Sequence, residues 1–194
     1  RTEVGVFFLQ ISLLVLRQRR QLTHQADEAF LDAVDDGDDV RIAFRRAGEL
    51  ALLHAAKGVE REDKSDDSPV TAADRECERL IVSELRAAFP GDGFLGEEGA
   101  EHGGTSGRRW IVDPIDGTRD FVRGLPTWSN LIGLEVDGEV VLGTCNMVAQ
   151  GELYWAVRGE GAFVDDRRIH VSTIDRRDRA IACLTAFDNI AASP

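Results

Sequence analysis

The chain has 194 residues, enough for one domain with a core of its own. Its 35 acidic residues outnumber 23 basic ones, and the formal charge of −12 argues against nucleic acid bound through a basic face. Three widely spaced cysteines, Cys77, Cys145 and Cys183, make no CxxC or Cys/His pattern, so no disulfide framework or zinc site is indicated and a reduced, cytoplasmic compartment fits best.

Val4 to Leu16 is mostly apolar and is followed by RQRR (17–20). It is too short for a comfortable membrane span, and its basic cluster follows the apolar run where a signal peptide would place it first. Residues 1–26 therefore read as a peripheral or artefactual extension, the alternative being a short membrane-associated segment. The start at Arg1, with Met147 as the only methionine, predicts a piece of a longer translation product. A polar break, DDGDD (35–39), separates a short helical pattern at 27–34 from a better helix at about 40–57. There Ile42, Ala43, Ala47, Leu50, Ala51 and His54 recur at helical spacing, and Gly58 supplies a stop. His54 on that stripe reads as a packed or satisfied histidine, not a ligand.

A short extended segment and a polar loop, EREDKSDDSP (60–69), come next. Thr71 and Asp74 then open a strong helix to about Phe89 in the manner of a capping box, with Cys77, Leu80, Ile81, Leu85 and Ala88 on one face. Spacing alone makes Asp74 a helix cap. Pro90-Gly91 ends the helix, and from Gly93 the period shifts to strands: 93–96, 109–113, 129–136, 139–147, 152–157 and 162–164, with Asp137-Gly138 as a hairpin turn. Helices first and mixed strands after predict an α/β (α+β layered) fold.

Two of these strands end in acid. The apolar run GFLG (93–96) stops at Glu97-Glu98, and WIV (110–112) stops at DPIDGT (113–118). Asp113 and Asp116 stand three apart around a proline that bends the chain. Gly117 lets backbone approach a ligand closely, and a helix starting near Thr118 would add free N–H groups. Carboxylates clustered this way disfavour one another's ionisation unless a cation compensates, and hard oxygen ligands suit Mg²⁺ or Mn²⁺. Each motif alone is also what a plain surface turn or an exposed acidic loop looks like. Their joint occurrence at two strand ends favours a metal.

KSDDSPVTAAD (64–74), GFLGEE (93–98) and WIVDPIDGTRDFVRG (110–124), in that order, resemble the inositol monophosphatase superfamily of Mg²⁺-dependent, lithium-sensitive phosphatases. LIGLEVDGEVVLG (131–143) and ELYWAVRGEGAF (152–163) extend the resemblance to about residues 40–172, and SPVTAAD with DGTRDFVRGLPTW is most similar to the bacterial histidinol-phosphatase branch. The resemblance implies the N-terminal αβ half of that sugar-phosphatase fold, with 27–194 as the N-terminal portion of a metal-dependent phosphatase domain. It further implies hydrolysis of a small phosphate ester, histidinol phosphate or inositol monophosphate, by metal-activated water, with inhibition by Li⁺. A 3′-phosphoadenosine phosphate phosphatase is the alternative within the class, and a catalytically incomplete metal-binding fragment is the alternative outside it.

By position, Glu97, Asp113 and the Ile115 carbonyl match the ligands of a first metal, and Asp113 and Asp116 those of a second. Glu97 and Thr118 match the groups that orient and deprotonate water, with Asp74 assisting through Thr118. Asp116, Gly117 and Thr118 match the phosphate cradle. Glu98 takes an outer, supporting place, and Lys64 either approaches the site or stays solvated. Trp128 either contacts substrate or packs on its neighbours at an exposed turn. The family commonly forms homodimers, but no residue pattern here fixes that state. One motif is missing: nothing after Thr173 matches the family's later Trp-Asp pair, since Asp188 in AFDNIAASP (186–194) has no preceding tryptophan. The chain is therefore expected to be a fragment with weak or no turnover alone.

Overall fold

The computed structural model describes residues 38–58, 61–63 and 69–179. The 1–26 extension, the helical pattern at 27–34, Lys64 and Asp188 lie outside the described residues.

Helix α1 spans Asp38–Lys57 and begins before the expected position. Its buried face is Val40, Ala43, Phe44, Ala47 and Ala51, at the i, i+3/i+4 spacing of a helix laid on a core. Ile42, expected on that stripe, is exposed on the other side. His54 sits in the last turn with its Nε2 3.0 Å from Glu76, a satisfied histidine as expected. The short strands β1 (Arg61–Asp63) and β2 (Pro69–Thr71) pair antiparallel. Helix α2 (Ala72–Ala88) follows, with Cys77, Ile81 and Leu85 fully buried.

Next come β3 (Gly93–Gly96), β4 (Glu101–His102) and β5 (Arg108–Asp116). The short helix α3 (Thr118–Val122) leads to β6 (Ser129–Val136), β7 (Glu139–Met147), β8 (Glu152–Val157), β9 (Gly161–Val164) and β10 (Arg167–Ile169). The strands from β3 to β10 form one sheet in the order β10-β9-β8-β7-β6-β5-β3-β4. Its β3–β5 pair is parallel and its other pairs are antiparallel. The edge strands β4 and β10 are additions to the expected set. This mixed sheet carrying α1 and α2 is the predicted α/β layered architecture.

The main core lies between α1, α2 and the sheet, where Phe44, Ile81, Leu85, Phe94, Trp110, Ile132 and Leu134 are packed together. Full burial of each such side chain contributes roughly 1.5–3 kcal/mol. A second cluster of Ala51, Ala73, Cys77, Ile115, Phe121 and Trp128 lies beneath the DPIDGT turn and supports it from below. Among the described residues no helix is long and apolar enough to cross a membrane.

Candidate active site

The parallel pairing of β3 with β5 decides where the acids go. Gly96 stands in register with Val112, so the next residue on each strand, Glu97 and Asp113, emerges at the same end of the sheet. An antiparallel pair would have sent them to opposite ends. The Glu97 N–H donates to the Val112 carbonyl at 3.0 Å, fastening the acidic turn directly beside Asp113.

Beyond Asp113 the β5–β6 register shifts before pairing resumes at Asp116 and Ser129. Such an irregularity re-aims side chains at a strand end. Proline at 114 has no N–H to give the ladder, and its carbonyl accepts from Asn130 Nδ2 at 2.6 Å. Asn130 is fully buried, and its own oxygen accepts from Asn146 Nδ2 at 3.0 Å. Asn146 also reaches the Phe44 carbonyl, so a buried amide chain ties the turn to α1. Gly117 then takes φ 86°, and a Cβ there would meet the Thr127 carbonyl at 3.1 Å, so the position needs glycine twice over. Helix α3 begins at Thr118, as expected, and its N-cap, Gly117, offers no side-chain cap to the first-turn N–H groups.

Asp74 does two things at once. Its Oδ2 accepts from the Thr71 N–H at 2.8 Å and from the Thr71 hydroxyl, completing the capping box of α2. Its Oδ1 accepts from the Thr118 hydroxyl at 3.2 Å. That hydroxyl also lies 3.1 Å from the Ile115 carbonyl, where its single proton has an alternative acceptor. Burial is the main influence raising the Asp74 carboxyl above its ordinary range, opposed by the Thr71 and Thr118 bonds.

Asp113 is the buried base of the site and Glu97 and Asp116 are its exposed rim. Burial first, then the charges of Glu97 and Asp116 and a hydrogen bond with Glu97, push the Asp113 carboxyl well above the usual range. Asp116 is also shifted upward by its surroundings, by Glu97 and by Asp120. Its surface still reaches solvent, which screens these charges. Among the described residues, no three His, Cys, Asp or Glu side chains already converge as a metal cage. The donor set nonetheless fits a hard cation: Asp113 Oδ1 is buried without a hydrogen-bond partner, and the neighbouring charges of Glu97 and Asp116 oppose a bare negative charge on Asp113.

Two supporting residues escape a reading of the sequence. Glu78, one turn after Asp74 on α2, is 4% exposed and accepts from the Glu98 and Ala100 N–H groups at 2.7 and 2.9 Å. The i, i+4 spacing from Asp74 was the available signal, but a glutamate in a helix ordinarily reads as a solvated charge. Asn130 gave no signal in the run SNLIGL, where it looks like any polar residue opening a strand. Trp128 is a correction of a different kind: it is buried, not exposed, and packs edge-on to Phe121 with centroids 5.0 Å apart. The packing alternative is the observed one.

A sheet that delivers two acidic turns to one end, beside a helix that braces a threonine hydroxyl, belongs to the α/β fold of an inositol monophosphatase of known structure from Anabaena, matched with a TM-score of 0.60 at 27% identity over 76% of this chain and 51% of that one. The model of the inositol monophosphatase family matches residues 34–188, and the chain belongs to that family. It is 44% identical over 151 residues to a histidinol-phosphatase of Chlorobaculum parvum, covering 76% of this chain and 58% of the relative. It is 52% identical over 103 residues to an inositol-1-monophosphatase of Rhizobium meliloti, covering 53% of this chain and 39% of the relative. The crystal structure of the extragenic suppressor protein suhB from Bartonella henselae superposes with a TM-score of 0.68 at 35% identity, over 77% of this chain and 57% of that one. The chain thus spans about half the length of the curated relatives it matches.

Proposed function

We propose that this site serves a divalent-cation-dependent phosphomonoesterase acting on a small phosphorylated metabolite. The observation that carries the reading is the buried Asp113 carboxylate, unpartnered at Oδ1 and flanked by Glu97 and Asp116 at the mouth. Glu97, Asp113 and the Ile115 carbonyl would hold one Mg²⁺, and Asp113 and Asp116 a second. A cation held there supplies Lewis acidity toward water and the ester phosphate.

The chain's own groups do the rest. The Thr118 hydroxyl, once its proton points to Asp74 Oδ1, turns its lone pairs outward and orients a water beside Glu97. Asp74 favours this polarity because it can accept Thr118's proton while its second oxygen stays bonded to Thr71. The first N–H groups of α3, with Asp116, Gly117 and Thr118, position the phosphate. Li⁺ inhibition, a cytoplasmic location and a homodimer belong to the same reading.

The 44% identity to a histidinol-phosphatase favours histidinol phosphate as substrate, and the 52% identity to an inositol-1-monophosphatase over a shorter stretch keeps inositol 1-phosphate beside it. A second reading is a metal-binding module without turnover, in which the unpartnered Asp113 oxygen holds a cation but no ester is cleaved. Phosphate release from both esters and from 3′-phosphoadenosine 5′-phosphate, measured with and without Mg²⁺, separates them. Mg²⁺-dependent release that is lost in Asp113→Asn, however slow, supports the phosphatase. Mg²⁺ binding without release leaves the module, and release indifferent to both Mg²⁺ and Asp113→Asn overturns the site.

A further inference from the structure

We propose that Glu78 is a positioning residue for the cation site: from α2 it clamps the 97–100 turn and so fixes where Glu97 stands relative to Asp113. This rests on the divalent-cation reading given above. The turn is closed by the Gly99 N–H on the Gly96 carbonyl at 3.4 Å and is anchored at four further N–H groups. Gly96 donates to the Ala100 carbonyl at 2.6 Å and Glu97 to Val112 at 3.0 Å, which ties the turn to itself and to β5. The other two, of Glu98 and Ala100, end on the two oxygens of Glu78. Glu97 is therefore held between the strand that carries Asp113 and the helix that carries Glu78.

The fit is close. A Cβ on Gly96 would lie 2.2 Å from Glu78 Oε2, so the carboxylate lies directly against the backbone at the end of β3. The choice of residue is informative as well. A buried carboxylate beside Glu97 and Glu98 is an expensive way to cap a turn, and burial raises its own proton affinity. A neutral amide would avoid the charge, yet only a carboxylate offers two acceptor oxygens to two N–H groups. Asp74 and Glu78 are one turn apart on α2, so a single helix face braces both halves of the site, Thr118 through one carboxylate and Glu97 through the other.

The test uses the 194-residue chain and its variants Glu78→Gln, Glu78→Ala and, as a control, Leu85→Ala, which opens the same helix face far from the turn. Mg²⁺ is titrated calorimetrically into each, and amide hydrogen exchange is followed across 97–100 without metal. The Glu78 variants are expected to weaken Mg²⁺ binding by roughly 10–100-fold, as loss of a residue orienting a ligand does, with faster exchange at Glu98 and Ala100. Leu85→Ala is expected to lower Tm and keep the wild-type Kd. If Glu78→Ala does not fold, Glu78→Gln decides the matter, since it keeps the volume and one acceptor. Wild-type Mg²⁺ affinity in a folded Glu78 variant, or equal weakening by Leu85→Ala, overturns the proposal while leaving the cation site standing. A wild-type chain with no saturable Mg²⁺ binding overturns both.

Discussion

Thr118 Oγ1 lies 3.2 Å from Asp74 Oδ1, a bond between residues 44 apart in the chain that joins the DPIDGT turn to the first turn of α2. It makes one carboxylate both a helix cap and a support for a hydroxyl at the site. Replacing Thr118 by Val removes the hydroxyl at nearly constant volume and leaves the cap alone. Any phosphate release is expected to fall by roughly 10²–10⁴-fold, the range of a lost proton-transfer group, with Tm little changed. Thr118→Ser is expected to restore most of it. A Thr118→Val protein as active as Thr118→Ser would remove Thr118 from the chemistry.

Asp113→Asn separates stability from function. The aspartate is buried with one oxygen unpartnered among other acids, so without metal it opposes folding. An amide of the same shape relieves that repulsion. The metal-free variant is expected to melt at or above the wild-type temperature and to lose its response to Mg²⁺. A lower Tm together with a retained Mg²⁺ response would contradict this.

The pH dependence has a definite sign. Asp113, Asp116, Asp74 and Glu78 all have folded-state proton affinities raised above the ordinary carboxylate range, with burial the first cause in each. A raised acid binds its proton more readily folded than unfolded. Its contribution is complete below the unfolded value and is lost as pH climbs through the folded one. Metal-free Tm is therefore expected to decline from mildly acidic pH upward, while the Mg²⁺-induced rise in Tm grows over the same span. A metal-free Tm that increases through that window would refute the assignment.

Asn130 carries the other half of the site's support. Replacing it by Ala frees the Pro114 carbonyl and leaves Asn146 without its buried acceptor. A loss of about 1–3 kcal/mol is expected for each buried group left unpaired, lowering Tm by roughly 2–4 °C per kcal/mol in a chain of this size. Chemical or thermal denaturation reads it directly, and an unchanged midpoint would deny Asn130 that role.

Much of this was legible in the chain. DPIDGT announced a bent, acid-bearing turn because Pro114 and Gly117 constrain the backbone locally, and Thr71 with Asp74 announced a cap for the same reason. What was not legible depends on partners distant in sequence. Nothing in GFLG or WIV says that β3 and β5 run parallel, yet that pairing alone brings Glu97 beside Asp113. Glu78 carries no local mark of burial, because its partners are the N–H groups of Glu98 and Ala100, some twenty residues on. Trp128, following Gly124-Leu-Pro, reads as a turn aromatic, whereas Phe121 packs against it at a near right angle. Strands as short as β4 and β10 carry too few residues to show a period, and Ile42 fitted the helical stripe while the sheet lay on the other side. Local chemistry gave the turns; tertiary pairing assembled them.

The central claim is that Asp113, with Glu97 and Asp116, forms a divalent-cation site, and calorimetric titration of Mg²⁺ into wild-type and Asp113→Asn chains tests it most directly. The account predicts saturable binding by the wild-type chain that strengthens as pH rises and disappears in Asp113→Asn. Binding that persists undiminished in Asp113→Asn, or no saturable binding by the wild-type chain, would contradict it.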